Sequence, residues 1–218
     1  MQSVEQLEIP YKFALQYRTL REFPLFYYTM ATILYDNDSP HLTFFDSVIG
    51  AVGYGPVSLG GTTTFSSNLS VIFQGTSIKL FGFLLQSKDV IVRIDGKIQL
   101  YTPTLATPAP PINAFYQSQI LPDTIHNLTM SDGRQDSLVA IDYVTITAGE
   151  STPLQGESLI VDDNDPSVVF EGEWVLITDL VLQVPDGSRF AYESTAHQTS
   201  SPGASATFHF NGLSPIKN

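Results

Sequence analysis

The chain has 218 residues, a formal net charge of −12, only 10 Lys and Arg together, and no cysteine. The scattered bases exclude phosphate-tracking nucleic-acid binding, which needs a clustered basic surface. The absent thiols exclude cysteine nucleophiles, Cys–zinc sites and redox chemistry. Hydrophobic residues make up 43% and charged residues 15%, so the chain has the composition of a folded domain and not of a disordered one. With 14 Phe, 10 Tyr, 15 Gly and 14 Pro, it reads as many short strands joined by turns.

Residues 1–29 stand apart as an appendage. Met1 to Glu8 is polar and acidic, without the basic stretch and apolar core of a signal peptide. Phe13, Tyr17 and Leu20 share one face of a short predicted helix within Tyr11–Glu22. No run reaches the about 18 apolar residues of a membrane-spanning helix.

From residue 30 the pattern is β. Leu69, Val71 and Phe73 alternate with Ser70, Ile72 and Gln74, and Ile78 to Leu85 is a nearly continuous apolar run. Asp95-Gly96 joins two further apolar stretches, the strongest hairpin signal in the chain because both residues tolerate positive φ. Tyr101 to Ile112, with four prolines, reads as a loop. Ala114–Gln119, Ile125–Met130 and Leu138–Thr147 are further strands. In the last, strict alternation predicts Leu138, Ala140, Asp142, Val144 and Ile146 on one face and Val139, Ile141, Tyr143, Thr145 and Thr147 on the other. Residues 149–158 read as a polar linker.

Two stretches recur. Leu34-Tyr35-Asp36-Asn37-Asp38-Ser39-Pro40 reappears as Val161-Asp162-Asp163-Asn164-Asp165-Pro166, and each runs into a strand ending at Phe44 or Phe170. Leu69 to Gly75 matches Ala206 to Gly212. A period of this length fits a duplicated domain, not a solenoid. The expected organisation is a complete β-sandwich over 30–148, a linker over 149–158 and a partial second sandwich over 159–218. Half a sandwich leaves an apolar face and an open edge uncovered.

These motifs resemble a family of fungal proteins with tandem galactose-binding-like domains. The quoted residues are Asp162-Asp163-Asn164-Asp165-Pro166 with Trp174, Gly203 to Gly212, Phe73 to Ser77, Leu121 to Thr129, and Ile141 to Val144. In this match Tyr35 stands in place of the first Asp and Val48 near the expected Trp. The resemblance covers residues 31–218. It implies an all-β, jelly-roll or galactose-binding-like β-sandwich and a non-catalytic carbohydrate-binding or adhesion role at the cell surface or outside the cell.

Candidate site residues follow from chemistry. Asp36, Asp38, Asp162, Asp163 and Asp165 offer oxygen ligands for a structural calcium, or cap turns through their own backbone. Tyr54, Tyr101 and Trp174 offer flat faces for sugar rings, or pack as ordinary aromatics. Asn37, Asn68 and Asn127 open Asn-x-Ser/Thr sequons and are candidate glycosylation sites. The four histidines are far apart in sequence, and His126 reads as a local hydrogen-bonding residue. No Gly-x-Ser-x-Gly elbow or phosphate loop is present, so the chain does not read as an enzyme. A glycan or a cell-surface protein is the expected partner. The alternatives are a structural, protein-interacting ectodomain without a small ligand and, less favoured, a sandwich-type hydrolase with two close carboxylates.

Overall fold

The computed structural model describes residues 31–45, 48–50, 62–85, 90–99, 113–132, 138–178, 181–184, 187–190, 192 and 195–208. The predicted N-terminal helix, the proline-rich loop, Tyr54 and Tyr101 lie outside these residues.

The first strands are β1 (Thr32–Asp36), β2 (Leu42–Phe45), β3 (Val48–Gly50), β4 (Thr63–Ser66), β5 (Asn68–Gly75) and β6 (Ser77–Leu85). They are followed by β7 (Val90–Ile94), β8 (Lys97–Gln99), β9 (Asn113–Gln117), β10 (Thr124–Asp132), β11 (Leu138–Thr147) and β12 (Ser158–Ile160). Six more follow: β13 (Val168–Glu171), β14 (Val175–Thr178), β15 (Val181–Val184), β16 (Gly187–Phe190), β17 (Thr195–Gln198) and β18 (Ser205–Phe208).

The fold is an all-β sandwich. One sheet runs β2-β5-β10-β7-β8, and the other runs β12-β1-β11-β4-β3, with β6 also paired to β11 and β9 paired to β6. The alternation in β5 sends Leu69, Val71 and Phe73 inward, where they meet Val92, Leu128 and Met130 of their own sheet and Ile33, Ile78, Leu80, Val144 and Ile146 of the other. Val71, Val92 and Leu128 are fully buried. Burial of this kind stabilises by about 1.5–3 kcal/mol per side chain.

β11 organises the larger sheet. β6 runs along one of its edges, while the opposite edge is shared, with β4 on Val139–Ile141 and β1 on Tyr143–Thr147. The ladder with β6 shifts register between Ile141 and Tyr143, so Asp142 is an inserted residue. This corrects the strict alternation expected for the strand. Val139 and Ile141 enter the core before the bulge, and Val144 and Ile146 enter it after. Opposite the bulge stands Gly82 with φ 148°; a Cβ there would sit 1.9 Å from the Ala140 carbonyl oxygen. The Asp95-Gly96 hairpin forms as expected, with φ of 52° and 76° between paired Ile94 and Lys97.

Residues 149–157 are fastened to the sandwich. Asp123 accepts hydrogen bonds from the Ser151 amide at 2.5 Å and the Thr152 hydroxyl at 2.7 Å. Burial would raise the Asp123 carboxyl, but these hydrogen bonds outweigh it and hold the carboxyl below its ordinary value. Leu154 and Leu159 pack on the core. β12 then joins the larger sheet beside β1.

The matched sequence segments adopt matching registers. Leu42↔Val71, Phe44↔Leu69 and Phe45↔Asn68 in β2–β5 have counterparts in Val168↔Phe208, Phe170↔Ala206 and Glu171↔Ser205 in β13–β18. Ile49↔Thr64 in β3–β4 has its counterpart in Leu176↔His197 in β14–β17. The turns also match: Ser39 N–H donates to the Asp36 carbonyl and Leu42 N–H to that of Ser39, as Asp165 donates to Asp162 and Val168 to Asp165. This pairing sets Asp36 against Asp162 and Pro40 against Pro166. Tyr35 therefore corresponds to Val161, a correction to the sequence match, which set it against Asp162.

Candidate functional site

The Asp-rich segments are turn caps. Asp36 Oδ1 accepts from the Asn37 amide, Asp162 Oδ1 from that of Asn164, and Asp165 Oδ1 from that of Ser167. Asp163 accepts from the Thr195 hydroxyl at 2.7 Å and faces His197 Nδ1 at 2.6 Å. Asn37 does the corresponding task in the first unit, accepting from Thr62 and donating to Thr64. Asp38 is exposed. Among the described residues no group of three or more His, Cys, Asp or Glu is placed to hold a metal ion.

Trp174 is half-buried, tilted against Phe170 at 4.9 Å, and its indole N–H donates to the Glu171 carbonyl. Phe170 stacks on His197 at 4.0 Å. Of the sequons, Asn127 is exposed and Asn68 half-buried. Asn37 is only 7% exposed and its amide is held by Thr62 and Thr64, which corrects the expectation of a glycan there.

His126 is held as a local hydrogen-bonding residue. It is buried, with Nδ1 2.7 Å from Asp95 Oδ2 and Nε2 2.8 Å from the Pro122 carbonyl.

A groove among the described residues is lined by Tyr35, His41, Gln74 and Glu157, which sequence reasoning did not select as binding residues. It has a volume of about 190 Å³ and lies where β1, β5, β10 and the 149–157 segment meet. His41 stacks flat on Tyr35 at 4.3 Å, and its Nε2 lies 3.9 Å from Glu157 Oε1. The Tyr35 ring is buried, whereas the His41 side chain is 41% exposed and presents its outer face to solvent. Gln74 lines the same groove and donates to the Ser151 carbonyl at 2.9 Å. Ile72 and Ile125 form an exposed apolar rim.

The electrostatics follow from partial burial. Burial pushes the Glu157 carboxyl above its ordinary value, with His41 opposing the shift. Burial, then the Glu157 charge, raises the Tyr35 phenol. Glu157 is the one carboxylate among the described lining residues. Hydrolysis of a glycosidic bond uses two. The groove thus offers a stacking face, one carboxylate, one amide and an apolar rim. It is smaller than the roughly 300–1,000 Å³ of drug-sized ligand pockets.

No family model and no curated protein matches the chain. Among solved structures, it is similar to the catalytic unit of a thermostable GH87 α-1,3-glucanase from Streptomyces thermodiastaticus strain HF3-3, at 12% identity and a TM-score of 0.36 over 54% of this chain and 26% of that one. It is also similar to the Agl-KA catalytic domain, at 10% identity and a TM-score of 0.36 over 56% and 28% of the two chains. The chain therefore spans little more than a quarter of either neighbour. Among the described residues no helix is long and apolar enough to cross a membrane.

Proposed function

We propose that this chain is a non-catalytic binding module whose ligand is a glycan, taken up in the groove between Tyr35–His41 and Glu157. The observation that carries the reading is the exposed imidazole face of His41, held flat by Tyr35 beneath it and flanked by Glu157 and Gln74. A sugar ring presents C–H bonds to a flat π-face and hydroxyls to neighbouring polar groups. The motif resemblance to galactose-binding-like ectodomains supports the same reading and a cell-surface or extracellular setting. Fold alone does not decide it.

The test is retention of the full chain on insoluble cell-wall polysaccharides, with and without a chelator. Saturable retention on one polymer, reduced by His41→Ala, supports the reading. Absence of retention from a folded sample overturns it. That result would favour a protein-binding ectodomain, for which the exposed Ile72 and Ile125 on the outer face of the smaller sheet supply an apolar contact.

A further inference from the structure

β1 and β12 pair antiparallel, with Ile33 opposite Leu159. By the turn and ladder registers, Ile33 and Leu159 are also corresponding residues: Thr-Ile-Leu-Tyr-Asp at 32–36 matches Ser-Leu-Ile-Val-Asp at 158–162. The flanking pairs, Thr32↔Ile160 and Leu34↔Ser158, exchange under the same correspondence. A local two-fold axis normal to the sheet therefore passes between Ile33 and Leu159. Such an axis brings equivalent edges together and leaves equivalent edges outward.

The outward edge of β1 is occupied by β11. Ala148 N–H donates to the Ala31 carbonyl at 2.8 Å on that side. By the alternation of an antiparallel ladder, Ile33 and Tyr35 then bond β11, while Thr32 and Leu34 bond β12. In β12 the roles transfer: Ser158 and Ile160 bond β1, and the N–H and C=O groups of Leu159 and Val161 aim at the outer edge. β12 is the terminal strand of its sheet among the described residues.

The side chains of the second unit carry the same mark. Leu42 of the first unit is in the core and Phe44 packs against it, whereas the core includes none of the described residues beyond Leu159. Their counterparts Val168 and Phe170 are only half-buried, and Val169, Val175 and Leu176 are 41%, 66% and 47% exposed. A bare strand edge beside exposed apolar side chains is a template for an added strand.

We propose that the outer edge of β12 accepts an extended polypeptide segment with the apolar alternation of β11, antiparallel and in the register that β11 adopts on β1. This proposal is independent of the groove. Ile33↔Ile146 and Tyr35↔Val144 are the bonded pairs in the first unit. The corresponding pairs place an incoming Ile146-like residue on Leu159 and a Val144-like residue on Val161.

The probe is a fluorescent peptide with the sequence of residues 136–149, titrated into the full chain by anisotropy. Saturable binding is expected, with slowed amide exchange at Leu159 and Val161. Peptide N-methylated at the positions of Val144 and Ile146 loses binding, because those N–H groups face β12; peptide N-methylated at the position of Thr145 keeps it. Leu159→Pro in the protein loses binding, whereas Leu159→Ala, which gives up the same core packing but keeps the outward N–H, retains it. No saturable binding, or equal binding of all three peptides, overturns the proposal. So does a concentration-dependent dimer that protects Leu159 without peptide, since the edge would then serve a second copy.

Discussion

Nδ1 of His126 lies 2.7 Å from Oδ2 of Asp95 while its Nε2 lies 2.8 Å from the Pro122 carbonyl oxygen. A carbonyl only accepts and an ionised carboxylate only accepts, so this geometry is satisfied by the doubly protonated imidazolium. Burial opposes that form, but the Pro122 carbonyl and the Asp95 carboxylate outweigh it and raise the His126 value above 6.5. The Asn127 amide and then His126 hold Asp95 below 3.8. Asp95 thereby ties the β7–β8 turn to β10, through its carboxylate and through its own N–H to the Asn127 carbonyl.

The first prediction is a pH dependence. The raised His126 contributes stability that is complete below its unfolded value near 6.5 and fades as pH rises through its folded value. The lowered Asp95 contributes stability above 3.8 that fades as pH falls through its folded value. The thermal midpoint should therefore be highest between these limits. Asp95→Asn should flatten both flanks and cost about 1 kcal/mol at the maximum, a modest amount because Asp95 is solvent-exposed. Melting curves from acid to mildly alkaline pH measure it; an unchanged alkaline flank in Asp95→Asn would count against the imidazolium.

Gly82→Ala should be strongly destabilising. The new Cβ meets a backbone carbonyl, not the end of a flexible side chain, and φ of 148° is unfavourable to any L residue. The expected loss is about 2 kcal/mol or more, read as a lower urea midpoint. Gly96→Ala is the control: its Cβ meets nothing within 4 Å, so only the backbone term remains.

Asp163→Ala should loosen the second unit alone. It removes the acceptor of the Thr195 hydroxyl and the partner of His197, two contacts that hold the turn before β13 against β17. Amide exchange in β14 and β17 should accelerate by the equivalent of about 1–2 kcal/mol. Exchange in β1 and β11 should stay as it was.

Chelation should leave the thermal midpoint unchanged. Asp36, Asp162 and Asp165 already spend carboxylate oxygens on turn amides. A lower midpoint in EDTA, restored by calcium, would show that these oxygens serve an ion instead.

Much of the architecture was readable from local chemistry. Asp95-Gly96 announced its turn because only such residues accept two positive φ values in succession. Leu69, Val71 and Phe73 announced a half-buried strand by period. The inserted Asp142 was not readable, since a bulge changes the parity of a strand without changing its composition. The groove was hidden for another reason. Tyr35 and His41 flank a turn, but Gln74 and Glu157 reach them only through the β5 ladder and the Asp123-anchored segment. The shift of Tyr35 from an Asp position to that of Val161 also came from hydrogen bonds, because the Asp- and Asn-rich letters align in more than one way.

The shared edge of β11 sets an order of events during synthesis. Thr32 pairs with Thr147, so the first described strand has no partner in its own sandwich until nearly all of that sandwich has been made. While β2, β5, β7 and β10 can already zip into the smaller sheet, β1 waits with Ile33 and Tyr35 in water. The late arrival of β11 closes the larger sheet from the middle, joining β1, β4 and β6 in one step. Non-local closure of this kind is slow and leaves apolar edges open to other chains meanwhile. A nascent chain whose β11 has not yet left the ribosome should therefore carry open, sticky sheet edges, and one whose β11 has emerged a closed sandwich.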